Sequence, residues 1–273
     1  MARERIELEN LINTRDLGGY VNEDGQTIKS KKLIRSAALS KASEADLEKL
    51  CKEYHLEKIV DFRNSDEITR HPDPTMEGVT HIWCPIFEER AGAVTREPLW
   101  DESDPLAMYF FFGEQMKKAA LVGKDDLADY YVQFVTKQHS IDYYKKFFDV
   151  LLEGCDGSIL WHCSAGKDRC GMGTVFLLKA LGMSDETIYE DYLLTNLMYE
   201  SENQKIIAIA RERNIDPSFD ETIRGVNGVR KHLLDSVYSI CDELYGGLDG
   251  FLKEKLELSE EKINTLKELY LEK

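Results

Sequence analysis

A thiol, a carboxyl and a guanidinium are crowded into one short stretch. It reads Ser158-Ile-Leu-Trp-His-Cys-Ser-Ala-Gly-Lys-Asp-Arg-Cys-Gly171. Cys163 has the residue type of a nucleophile. A free thiol has a pKa of about 8.5, and a helix N-terminus with nearby cations brings it to roughly 3.5–7.5, so a thiolate is available at neutral pH. Arg169, six positions on, can fork two N–H donors onto two oxygens of a tetrahedral anion. Asp168 is the carboxylate inside the stretch; it can protonate a leaving oxygen and later take a proton from water. Lys167 adds positive charge that would matter most for substrates with several phosphates. His162 precedes the thiol, and a ring there orients the loop more readily than it transfers protons.

These groups need a cup, and the flanking residues describe one. Ser158 to Trp161 is an apolar run suited to a buried strand. Met172 to Leu181 is an apolar run that reads as a helix stopped before Gly182. Between strand and helix, the backbone N–H groups of Ser164, Ala165, Gly166, Lys167, Cys170 and Gly171 are the expected anion contacts, aided by the helix dipole. Gly166 and Gly171 permit close backbone approach. A buried, inert cysteine in a glycine turn is the competing reading. The histidine, the two glycines, the Lys-Asp pair and the flanking elements together outweigh it.

This loop resembles the signature of cysteine-dependent phosphatases, specifically bacterial tyrosine/lipid phosphatases whose loop reads His-Cys-x-x-Gly-Lys-Asp-Arg. Asn13-Thr-Arg-Asp-Leu-Gly-Gly-Tyr20, Asp191-Tyr-Leu-Leu-Thr-Asn196, and Ile59-Val-Asp-Phe-Arg63 followed by Glu67 fit the same family. The resemblance implies Cys163 as nucleophile, Arg169 as phosphate ligand and Asp168 as general acid. One departure stands out. The family usually has Thr or Ser after the arginine, where this chain has Cys170. That hydroxyl is thought to ease departure of the thiolate from the phosphoenzyme, so slower turnover is expected. A disulfide between Cys170 and an oxidised Cys163 is the minority alternative.

The 273 residues carry 35 basic and 51 acidic side chains, a net charge of 35 − 51 = −16. That balance argues against nucleic acid or an anionic membrane as the main partner. Six cysteines are too few for a disulfide scaffold and lack paired metal spacing. The charged N-terminus has no apolar signal region and no apolar run reaches transmembrane length, so a cytoplasmic location is expected. The reading calls for no cofactor and no metal.

The elements that must carry the loop are legible in outline. Asn22 to Gly25 reads as a hairpin-like turn, Leu33–Ser36 as a strand, and Ser43 as the cap of a helix to about Tyr54 with Leu47 and Leu50 inward. Ile59–Phe62 and Val79–Pro85 read as further strands. Strands alternating with helices point to an α/β fold: a mostly parallel central sheet flanked by helices, like that of the protein tyrosine phosphatases. A single domain over 1–273 is expected. Residues 87–123, with the aromatic patch Met108–Phe112, form a candidate helical insertion or lid, an ordinary core helix being the competing reading. Leu127–Leu152 reads as one or two helices. From Ser184 to Lys273 the chain reads as helical throughout, broken near Asn214–Pro217 and Gly246-Gly247, with a last amphipathic helix from Ser259.

Asp61 and Arg63 fit a strand-end ion pair bracing the loop better than a second acid and a phosphate ligand. Arg15 and Asp16 read as structural groups near the site. The histidines at 55, 71, 81, 139 and 232 show no metal-ligand spacing. The expected chemistry is phosphomonoester hydrolysis by a metal-free phosphocysteine route, with phosphotyrosine in proteins as substrate and inorganic phosphate as product. Phosphoinositides or dual specificity are the variant reading. A phosphate-binding pseudophosphatase is the competing class, and sulfur or arsenate chemistry at such a loop a weaker one.

Overall fold

The computed structural model describes residues 5–88, 100–123 and 125–273. Its strands are β1 (Arg15–Asp16), β2 (Thr27–Ile28), β3 (Leu33–Ser36), β4 (Leu56–Asp61), β5 (Thr80–Trp83), β6 (Ser158–His162) and β7 (Leu271–Glu272). The main sheet runs β1-β3-β6-β4-β5. β3, β6, β4 and β5 are parallel, and only β1 is antiparallel to its neighbour. The expected mostly parallel α/β sheet is what the chain forms.

Alternation along the strands explains how the sheet buries both faces. Ile34, Ile59 and Leu160 turn to one side, with Ile6, Leu39, Leu50 and Met76. Leu33, Val60, Ile159 and Trp161 turn to the other, into the larger core. The first face is covered by α1 (Glu44–Lys52), where Ser43 and Asp46 form a capping box. Next comes α2 (Ser65–Arg70), capped the same way by Asn64 and Glu67.

α3 (Ala107–Leu121), α4 (Asp126–Thr136) and α5 (Gln138–Glu153) precede β6. The central helix α6 (Asp168–Ala180) leaves the loop, and most of its residues from Cys170 on are buried. After it come α7 (Asp185–Met198), α8 (Glu200–Glu212), α9 (Phe219–Asn227), α10 (Lys231–Tyr245), α11 (Leu248–Glu254) and α12 (Glu260–Tyr270). The larger core joins α4, α5, α6, α10, α11 and α12 to the sheet. α3, α8 and α9 share a separate small cluster around Leu106, Tyr109, Ile206 and Ile223.

Two expectations are corrected. The chain is not helical to its end: Leu271–Glu272 forms β7, antiparallel to β2. A two-residue pairing made across the whole chain has no periodicity to read. The site helix begins at Asp168 rather than Met172, because the polar loop residues take up its first turn. Of the aromatic patch, Tyr109 is buried against Asn227, while Phe110 stacks on Phe219 at 4.6 Å and stays exposed. The expected lid falls partly on residues 89–99, which lie outside the described residues.

Candidate active site

The parallel strands end in register: Ser36 and Asp61 both lie opposite His162. The loop beyond β6 therefore emerges at the carboxyl edge of the sheet, the usual ligand-binding edge of α/β folds. Neighbouring strand ends hold it. Phe62 N–H donates to the His162 carbonyl at 2.9 Å, and Ala38 N–H to the Ser164 carbonyl at 3.2 Å. Gly166 sits at φ +67°, and a Cβ there would lie 2.5 Å from the Ser36 carbonyl oxygen. Only glycine fits. Gly171 is less constrained, its nearest neighbour being an Arg35 nitrogen at 3.4 Å.

The Gly166 carbonyl accepts from Asn13 Nδ2 at 2.8 Å and from Arg35 Nη2 at 2.9 Å. Arg35 in turn donates to Asp191 at 2.6 Å, Arg15 donates to the same carboxylate at 3.2 Å, and the Tyr20 hydroxyl donates to it at 2.7 Å. Burial works against the Asp191 charge, yet the two guanidiniums prevail and hold its pKa below the usual carboxylate range. Segments far apart in sequence thus converge behind the loop. Arg15 also donates to the Asp191 carbonyl at 2.9 Å, while Asp16 receives the N–H groups of Gly18 and Lys31.

Cys163 lies at the floor, 2% exposed. Ser164 is exposed beside it, and Lys167, Asp168 and Arg169 are part exposed around the rim. Arg169 donates through Nη1 and Nη2 to the two carboxylate oxygens of Glu67, at 2.6 and 2.7 Å. Longer contacts reach the Phe62 carbonyl at 3.4 Å and Ser164 Oγ at 3.3 Å. Burial would lower the pKa of Arg169; Glu67 and the nearby Cys163 sulfur override it and raise it. Glu67 is held down to about 2: burial pushes it up, but the hydrogen bonds and charge of Arg169, with help from Ser164, win. Ser164 Oγ also donates to Glu67.

The remaining loop residues have definite places. Lys167 Nζ donates to the Val226 carbonyl at 2.5 Å and the Gly228 carbonyl at 3.3 Å, so its charge is drawn to the end of α9. The Ala165 carbonyl accepts from the Tyr199 hydroxyl at 2.7 Å. Cys170 is fully buried, donating to the Trp161 carbonyl at 3.5 Å. Burial pushes its thiol up to about 12 although Arg35 is near, which makes it a poor attacking sulfur.

Beneath the loop, Arg63 is clamped by Asp61 at 2.7 Å and Asp73 at 2.6 Å. His162 Nε2 lies 3.1 Å from Asp73. Asp61, Asp73 and His162 come within ligating distance of one another, yet the Arg63 guanidinium already pairs with both carboxylates. Asp61 and Arg63 thus form an ion pair at the end of β4.

Sequence reasoning passed over Glu67 and Arg35 as site residues. The Asn64-to-Glu67 capping spacing just past β4 was the available signal for the first. A fully buried strand arginine offered none for the second.

A model of the tyrosine phosphatase family matches residues 6–272. The chain belongs to the tyrosine phosphatase family. It is a phosphatase, and membership implies hydrolysis through a phosphocysteine. A Cupriavidus necator protein, provisionally named a tyrosine-protein phosphatase, is 27% identical over 94% of this chain and 86% of its own length. The triple specificity protein phosphatase PtpB of Mycobacterium tuberculosis is 25% identical over 97% of this chain and 98% of its own. A tyrosine-protein phosphatase of Nostoc commune is 29% identical over 52% of this chain and 48% of its own. Among the described residues no helix is long and apolar enough to cross a membrane.

Proposed function

We propose that this phosphatase hydrolyses phosphotyrosine in proteins, with Cys163 as nucleophile, Arg169 as phosphate ligand and Asp168 as general acid, then base. In the first step the Cys163 thiolate attacks phosphorus. The bond to the tyrosyl oxygen breaks, and that oxygen takes the Asp168 proton. In the second step water attacks phosphorus and gives a proton to Asp168. The phosphorus–sulfur bond breaks, releasing inorganic phosphate and the thiolate. Loop N–H groups from Ser164 to Arg169 supply the oxyanion contacts.

The observation that carries this reading is the locked guanidinium beside the sulfur. Glu67 occupies the end-on edge of Arg169, which leaves Nε and the Nη2 proton shared loosely with Ser164 for an anion. An aromatic side chain near the sulfur, Tyr130, favours a ring-bearing ester. The Tyr130 hydroxyl lies within electrostatic reach of Cys163, Asp168 and Arg169, and its ring packs on Phe87 at 4.7 Å. The binding of Lys167 to carbonyls favours a single phosphate over the polyphosphate variant. The name of the mycobacterial relative supports a wider range of phosphoesters as the second reading. The thiolate needs a reducing compartment, in line with action in the cytoplasm.

Hydrolysis of para-nitrophenyl phosphate in EDTA tests the proposal. Activity in the parent protein, lost in Cys163→Ser, supports it. A folded but inactive parent replaces it with the phosphate-binding reading. A panel of phosphotyrosine, phosphoserine and phosphoinositide then ranks the substrates.

A further inference from the structure

We propose that Tyr131, backed by Tyr192, is the positioning residue for the acid–base carboxyl of Asp168. The inference rests on the proposed role of Asp168 and goes beyond it by naming what aims the proton.

The Tyr131 hydroxyl donates to Asp168 Oδ1 at 2.6 Å, and the Tyr192 hydroxyl donates to the Tyr131 oxygen at 3.0 Å. The direction follows from counting protons. A phenol has one proton, and an ionised carboxylate only accepts. Tyr131 must therefore spend its proton on Asp168, and Tyr192 must supply the second one. When Asp168 is protonated, this chain persists undisturbed only if the new proton sits on Oδ2. Lys167 Nζ lies 3.8 Å from Oδ2. Tyr131 thereby fixes both the carboxyl rotamer and the oxygen that gives up the proton.

Tyr131 is built to hold still. Its ring is fully buried and packs edge-on against Phe134 at 5.4 Å and Tyr192 at 6.3 Å. Two other buried tyrosines give their hydroxyl to backbone, Tyr144 to the Arg169 carbonyl and Tyr270 to the Leu151 carbonyl, and Tyr20 gives its own to the buried Asp191. Tyr131 instead spends it on a part-exposed carboxylate at the rim of the site. Tyr192 adjoins Asp191, so the chain ties the acid to the same α7 turn that anchors the two buried arginines. A short bond from a rotationally locked donor removes wrong rotamers from the ground state, which is how a supporting residue raises kcat.

The test compares a poor leaving group, phosphotyrosine, with a good one, para-nitrophenyl phosphate. Tyr131→Phe keeps the ring and removes the proton. It should lower kcat/KM on phosphotyrosine about 10-fold or more and kcat/KM on para-nitrophenyl phosphate by less than about 3-fold, since kcat/KM reports the leaving-group step and not the phosphoenzyme hydrolysis common to both esters. Tyr192→Phe should show the same leaving-group bias more weakly. An equal loss on both esters, or no loss on either, overturns the inference provided Asp168→Asn retains the bias. Absence of bias in Asp168→Asn overturns the acid assignment and this inference with it. If circular dichroism shows Tyr131→Phe to be unfolded, Tyr192→Phe decides alone, and loss without bias there overturns the proposal.

Discussion

Glu67 grips the guanidinium of Arg169 at both terminal nitrogens, at 2.6 and 2.7 Å, and does so from the first turn of α2. The same carboxylate accepts the Asn64 N–H at 3.0 Å. One side chain therefore closes a helix cap and aims Arg169, the proposed phosphate ligand. Both jobs depend on its staying ionised.

That dependence has a sign. Glu67 is held near 2 in the folded protein against 4.5 for an ordinary glutamate, so its contribution is fully present above about pH 4.5 and is lost as pH falls toward 2. The shift corresponds to about 3 kcal/mol. Glu67→Gln should remove a comparable part of the stability at pH 7 and reduce the dependence on pH below 4.5. Urea denaturation at pH 7 and pH 3 of both proteins reads this out; identical pH dependence in parent and variant would contradict it.

Two aspartates near the loop should behave differently. Asp168→Asn should lower turnover on poor leaving groups by about 10². Asp61→Asn should instead lower thermal stability, because Asp61 receives Nε and Nη2 of the buried Arg63. Steady-state kinetics beside melting curves separate the two. A leaving-group effect confined to Asp61→Asn would reverse the assignment.

Gly166→Ala puts a Cβ 2.5 Å from the Ser36 carbonyl oxygen in a left-handed conformation. The strain should cost about 1–3 kcal/mol and displace the loop, so both melting temperature and activity should fall. Parent-like values for both would show that the loop does not need this conformation.

Cys170→Ser restores the hydroxyl usual in the family at a buried position beside the Trp161 carbonyl. Faster departure of the thiolate from the phosphoenzyme is expected, seen in stopped flow as a smaller burst with higher steady-state turnover on para-nitrophenyl phosphate. A slower steady state after an unchanged burst would show that the cysteine is preferred at this position.

The loop could be read because its chemistry is contiguous. Cys163, Gly166, Asp168 and Arg169 sit within seven consecutive residues, and the runs on either side alternate or repeat with the strand and helix periods. Caps such as Ser43 and Ser184 are likewise local. The Asp61–Arg63 pair was legible because the two residues lie two positions apart.

Contiguous residues were enough to read the proposed nucleophile loop, the parallel sheet that carries it and the family. Tertiary structure alone decided that Arg169 meets Glu67, that Asp168 meets Tyr131, that Arg35 meets Asp191 and that β7 closes on β2. Each of those contacts joins residues far apart in the chain. No periodicity or spacing encodes such a pair; it comes into being when apolar faces pack and bring buried charges and hydroxyls to the partners that keep them satisfied.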